Sequence, residues 1–272
     1  MSYLFFQVTV AIYILSTAAY VVYFVTQNKY ARDVARLHIL GAGIIHTACI
    51  VVRYIEAGHT PLVNNHEAVS FFAWSMTWAF LTFHWRYKVK NLGAFVSPVI
   101  TALMLVSAFS SRTFPELPPA LKSGWLPVHA SIAIVANGFL ALSFCGAVMY
   151  LLQERQIKRK NFGMFYSRLP SLDTLDNLNH HCLTVGFPLL TLGIVTGSIW
   201  AEQAWGSYWH WDPKETWSLI TWFLYAALLH QRLTVGWRGR RAAIMAIIGF
   251  LAVLFTFWGV TYLLEGVHTY AG

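Results

Sequence analysis

Charge is what this 272-residue chain has least of: only 11% of its residues are Asp, Glu, Lys or Arg. A soluble domain carries about 25%, so most of this surface is excluded from facing water, and 57% of the chain is apolar. Cysteine is nearly as scarce. Cys49, Cys145 and Cys182 all fall inside apolar stretches and no CxxC occurs, which excludes a disulfide framework or a dithiol redox centre. The three are expected as small buried apolar residues. Internal repeats and low-complexity tracts are also missing. No cleavable leader is apparent. The first apolar stretch is too long for a secretory h-region and has no basic residues ahead of it, so it reads as a membrane helix.

Long apolar runs are what the chain does have. Eight stretches approach the length of about 20 residues that a bilayer requires. They run over roughly 3–25, 36–54, 67–85, 92–110, 128–152, 179–200, 216–234 and 242–264. Lipid offers no partner to an open backbone, so each must be helical. The expectation is an all-α integral membrane protein of about eight transmembrane helices, forming one polytopic domain over 1–272.

The net charge of +8 is sorted by side. Fifteen of the 19 basic residues lie in the connections after the first, third, fifth and seventh stretches, among them Lys29, Arg86, Lys158 and Arg238. The remaining connections hold Arg53, Arg112, Lys122 and Lys214. The positive-inside rule makes the first set cytoplasmic, and both termini are then external. The charge reports topology rather than a nucleic-acid partner. Two external segments are longer than a turn: the proline-rich 110–127 and the segment 202–215. A cytoplasmic segment, 154–179, is basic and then polar. Gly193 and Gly197 form a small-xxx-small pair of the kind that lets helices approach closely.

Six of the twelve tryptophans fall in residues 200–222: Trp200, Trp205, Trp209, Trp211, Trp217 and Trp222. An interfacial aromatic belt accounts for Trp200 and Trp217, one at each helix end. It accounts poorly for Trp205, Trp209 and Trp211 with Tyr208 among them. That much apolar area in a loop either packs on itself or faces something large and flat. Asp212-Pro213-Lys214-Glu215 has the form of a capping box, with Asp at the N-cap, Pro at N1 and Glu at N3. That role suffices for both acids.

Position also sorts the eleven histidines. His129 follows Trp125-Leu-Pro-Val, and His268 lies just beyond the last stretch, so topology puts both on the side of the tryptophan segment. Two imidazoles flanking an apolar aromatic shelf are what a bis-histidine haem site requires. His230 lies 13 residues beyond Trp217, about 20 Å along a helix, in the inner half of the membrane. An ionisable group there is a functional candidate. If it ligates haem its partner is another imidazole, from His46, His84 or a second subunit. His38, His59, His66, His180, His181 and His210 read as surface or packing residues.

Trp205-Gly206-Ser-Tyr208-Trp209-His-Trp211-Asp212 matches the WGxxWxWD signature of the haem-handling superfamily. Its continuation through Trp217 resembles the CcsA (ResC) family of System II cytochrome c maturation. The resemblance extends through Gly186-Phe-Pro-Leu, Trp125-Leu-Pro-Val-His129, Leu228-Leu-His230 and Gly266-Val-His268. It covers residues 125–272 closely and the N-terminal half loosely. In the first external loop, Pro61-Leu-Val-Asn64-Asn-His66-Glu67 resembles the family's PLSNxYES stretch, with His66 and Ala68 in place of its Tyr and Ser.

The resemblance implies a holocytochrome c synthase that delivers haem b across the membrane and attaches it to the CxxCH of an apocytochrome. It implies that His129 and His268 are external haem ligands with the catalytic role, and that His230 is a transmembrane ligand. It implies a surface of Trp125, Trp205, Gly206, Tyr208, Trp209, Trp211, Asp212 and Trp217 that cradles the haem edge. The family further implies a CcsB (ResB) subunit, sometimes fused at the N-terminus; with no such extension here, a complex is expected. Thiol reductants would come from other external proteins. A bacterial inner or thylakoid-type membrane is the expected location. A CcmC-like haem carrier without synthase activity is the first alternative. A di-haem oxidoreductase is the second, and it fails on residues: His46 and His59 have the 13-residue spacing, but Gly58 and Pro61 put His59 in a loop.

Overall fold

The computed structural model describes residues 1–110 and 122–264. All its regular elements are helices: α1 (Ser2–Thr26), α2 (Lys29–Ala57), α3 (Asn65–Tyr87), α4 (Gly93–Phe109), α5 (Trp125–Lys158), α6 (Met164–Arg168), α7 (Leu172–Trp205), α8 (Pro213–Thr234), α9 (Arg240–Leu254) and α10 (Val260–Leu263). A π-helical turn, Phe255–Gly259, joins α9 to α10. Helices α1, α2, α5, α7 and the run 240–259 are long and apolar enough to cross a membrane. Helix α4 is equally apolar but has 17 residues, whereas α3 and α8 have the length, at 23 and 22 residues, with more polar and aromatic side chains. This is a multi-pass, all-α membrane protein.

The chain folds as two compact units, Met1–Phe114 with Gln156–Pro170, and Pro115–Arg155 with Ser171–Gly272. In the first, α1 shows how lipid as solvent inverts the usual pattern. Its buried stripe is Ser2, Phe6, Thr9, Tyr13, Ser16, Tyr20 and Phe24, while Val8, Ile14, Leu15, Val21, Val22 and Val25 face outward. Polar groups turn inward because only protein can satisfy them there. The Tyr13 hydroxyl lies 2.8 Å from Thr77 Oγ1 and 3.3 Å from His46 Nδ1, and His46 Nε2 lies 2.9 Å from Ser70 Oγ.

The connection into α3 is a built turn. The Asn64 side chain caps the helix by accepting from Glu67 N at 2.8 Å, and Glu67 accepts from Val63 N at 3.2 Å. The same carboxylate, buried, pairs with Arg53 at 2.7 Å. His66 is held by the Ser107 carbonyl, 2.7 Å from Nδ1.

The second unit is tied by polar contacts between long helices. Ser143 of α5 bonds to Asn179 of α7, and Trp222 Nε1 of α8 donates to Thr191 Oγ1 of α7 at 2.9 Å. Arg232 forks onto Asp176 at 3.0 and 2.5 Å, and Gly239 N donates to the same carboxylate at 2.8 Å. The segment 154–179, expected as a polar connection, is largely helical. Helix α5 runs on to Lys158, α6 intervenes, and α7 begins at Leu172 behind a Ser171 cap that accepts from Thr174 N at 3.2 Å. Good helix formers such as Gln, Glu, Arg and Lys extend α5 beyond the apolar span.

Candidate haem-handling site

The second unit carries the tryptophan segment and most of the histidines around it. Helix α7 ends at Trp205, and Gly206 closes it in the left-handed conformation at φ 76°, its N–H bonded to Glu202 O. Trp211 also adopts a positive φ, 58°. Gly reaches that region freely whereas Trp does so at a cost, so the turn before α8 is strained at an aromatic residue. The capping box stands as expected: Asp212 Oδ1 accepts from Lys214 N at 2.8 Å, and Glu215 Oε2 accepts from Asp212 N at 3.3 Å. Glu215 Oε2 also accepts from His210 N at 2.8 Å, which extends the cap back into the loop.

The loop therefore has a fixed backbone and outward aromatic groups. Trp211 is 69% and Tyr208 61% exposed. Trp209 packs edge-on against Trp211 at 5.8 Å, and its buried indole Nε1 has no hydrogen-bond partner. At the start of α8, Trp217 lies 4.3 Å from Phe255, the first residue of the π-helical turn. Turns of this kind recur at functional sites.

His129 lies on α5, four residues after Trp125 and on the same helix face. Its Nδ1 is 2.8 Å from the Gly193 carbonyl of α7. A carbonyl only accepts, so Nδ1 carries the proton and Nε2 keeps its lone pair. The ring stacks on Trp200 at 5.9 Å and 11°, Trp200 contacts Trp205 at 4.8 Å, and Trp205 contacts His210 at 6.2 Å. A continuous aromatic path thus leads from His129 to the loop. Trp200, expected in the interfacial belt, is only 2% exposed and carries the stacked His129 ring.

Sequence reasoning missed what the glycine pair does here. A Cβ on Gly197 would lie 2.7 Å from His129 Cε1 and Nδ1. Gly197 leaves room for the imidazole, and the Gly193 carbonyl accepts the hydrogen bond from its Nδ1. The small-xxx-small spacing was visible, but nothing in the sequence paired it with a residue on α5. Ser123 Oγ, just ahead of α5, donates to Gln203 Oε1 of α7 at 3.0 Å, holding the two helices together at this end.

His230 is exposed on α8. His46 is fully buried with both ring nitrogens occupied, so it has no lone pair to offer. His84 Nδ1 is buried without a partner. His268 lies outside the described residues. Among the described residues no group of three or more His, Cys, Asp or Glu could hold a metal, and the three cysteines are buried.

Residues 62–268 match the family described as cytochrome C assembly protein. The chain is 36% identical over 267 residues to the cytochrome c biogenesis protein CcsA of Guillardia theta, covering 88% of each. It is 34% identical to the CcsA of Gloeothece citriformis, covering 94% of this chain and 96% of that one. Among solved structures, the cytochrome c haem lyase CcmF superposes with a TM-score of 0.69 at 18% identity. That match covers 98% of this chain and 47% of CcmF, a likeness of fold. Family match, length-spanning relatives and fold agree: this chain belongs to the cytochrome c assembly family, as a CcsA-type cytochrome c biogenesis protein.

Proposed function

We propose that the chain binds haem as its substrate against residues 125–217 and, with His268, presents it for covalent attachment to the CxxCH of an apocytochrome c. One observation carries this reading: His129 commits Nδ1–H to a backbone carbonyl and leaves Nε2 as the free ring nitrogen. That is how ligating histidines are set up, the second-shell acceptor fixing tautomer and orientation. The side chains of Trp125, Trp205, Tyr208, Trp209, Trp211 and Trp217 supply apolar walls for the haem, while Gly206 and Asp212 act through the loop they shape.

In this reading His268 is the second external haem ligand. His230, outward on α8, is the transmembrane ligand and meets an imidazole of a CcsB-like subunit. Each cysteine S–H adds across one vinyl group. A C–S bond forms, the S–H and C=C π bonds are lost, and the proton ends on the terminal vinyl carbon. The chain contributes orientation; the addition is intrinsic to thiol and vinyl and needs no net oxidant. Reducing equivalents that keep the cysteines as thiols come from external thiol proteins. The tryptophan segment faces the outside of a bacterial inner or thylakoid membrane.

Co-expression with a CcsB partner and a CxxCH reporter tests this. His129→Ala should abolish covalent haem on the reporter, and imidazole in the medium should restore part of it. Wild-type yield in both His129→Ala and His268→Ala would refute the assignment.

A further inference from the structure

A cavity of about 190 Å³ lies within the first unit, at the end carrying the basic connections after α1 and α3. Ligand pockets for drug-sized molecules run to about 300–1,000 Å³, so this one takes a small group. Four side chains lining it hold buried polar atoms without a hydrogen-bond partner: Tyr20 Oη, Arg36 Nε, His84 Nδ1 and Asn91 Oδ1. Tyr20 and Asn91 are only 3% and 4% exposed. Buried polar groups in folded proteins are nearly all satisfied, so four around one small cavity define a recognition surface.

Three of those four atoms can donate to an anion. Tyr20 offers O–H and Arg36 its Nε–H, and His84 Nδ1 donates in the matching tautomer. Asn91 Oδ1 is the acceptor, because its Nδ2 donates to Arg168 O at 2.6 Å. Arg32 and Lys88 add positive charge at the rim. Asp33 opposes them in part, accepting a hydrogen bond from Arg32 Nε at 2.9 Å and lying 4.0 Å from Arg36 Nη1.

The pocket is also built by the backbone. A Cβ on Gly93 would lie 2.2 Å from Tyr20 Cε1, so only glycine lets the phenol reach this position. Lys88 and Asn91 turn the chain with φ of 49° and 58°. The turn is tied down by Asn91 and by Lys90 Nζ, which donates to Ser167 O at 3.2 Å. Beside it, α1 presents Val21, Val22 and Val25 outward at 47%, 49% and 50% exposure.

We propose that this cavity is an anion site that takes the carboxylate or phosphate of an amphiphile whose apolar body lies along the outward face of α1. An acidic phospholipid headgroup and a porphyrin propionate share that chemistry.

Native mass spectrometry and titration of the purified full-length chain test it with three probes. These are phosphatidylglycerol against phosphatidylcholine, mesoporphyrin against its dimethyl ester, and inorganic phosphate. Phosphatidylglycerol or mesoporphyrin should bind well above its neutral counterpart, and whichever does so identifies the source. Arg36→Gln should weaken that binding at least tenfold. Tyr20→Phe, which keeps the ring on Gly93 and removes one donor, should weaken it severalfold in a protein that still folds. Four outcomes overturn the proposal: no preference for either acid over its neutral counterpart, binding of phosphate alone, binding unchanged in Tyr20→Phe, or porphyrin binding lost in His129→Ala but retained in Arg36→Gln.

Discussion

Gly197→Ala separates a seat for His129 from ordinary helix packing. The added Cβ would lie 2.7 Å from two ring atoms of His129, where ordinary contact begins at 3.4 Å. The ring must therefore retreat by about 0.7 Å, enough to loosen its 2.8 Å bond to Gly193 O. Losing that bond costs about 1 kcal/mol, or about fivefold in ligand occupancy. A displacement approaching 1 Å in a positioned group can cost about a hundredfold in rate. We expect covalent haem on a reporter cytochrome to fall by between about fivefold and a hundredfold. Stability should fall by about 0–2.5 kcal/mol, because alanine gains about 0.5–1 kcal/mol over glycine in a helix against about 1–3 kcal/mol of overpacking.

Gly193→Ala is the control. Its Cβ would meet Ala133 Cα and Cβ at 3.2 Å, a backbone neighbour that cannot swing away, while the Gly193 carbonyl still accepts from His129. This variant should lose stability at least as much as Gly197→Ala but retain more haem transfer per folded molecule. The assay is reporter haem stain normalised to folded protein, with thermal unfolding measured in detergent. If Gly193→Ala proved the more damaging per folded molecule, and Gly197→Ala matched wild type, the seating role of Gly197 would be refuted.

Trp211→Ala should leave unfolding within about 0.5 kcal/mol of wild type, as expected for an exposed side chain, yet lower reporter haem strongly; unchanged transfer would count against the shelf. Asp212→Ala removes the cap of α8 and should cost about 1 kcal/mol, with faster hydrogen exchange over residues 212–216 as the readout. Arg232→Met strands the buried Asp176 carboxylate and should destabilise the second unit by about 3–5 kcal/mol, seen as lost expression or a lowered Tm. Asp176→Asn combined with Arg232→Met should recover part of that loss.

The apolar runs and their helical state were legible in the chain, because lipid leaves the backbone no alternative to the helix, whereas α5 and α7 run beyond the apolar stretches into 154–179. Local chemistry was legible too. Asp212, Pro213 and Glu215 form the box their spacing implies, since capping involves residues only a few positions apart. The tryptophan segment and His129 stood out as candidates for the same reason. What the sequence alone could not supply was any relation between distant positions. Gly197 looks like a packing glycine until α5 is seen to place His129 over it. Trp200 looks interfacial until that ring is found stacked upon it. Tyr20, Arg36, His84 and Asn91 come from three helices and a turn, and only tertiary packing gathers their unpaired atoms around one cavity. Helix and cap are decided by neighbours along the chain, whereas a seat or a pocket is decided by which faces the helices turn toward one another.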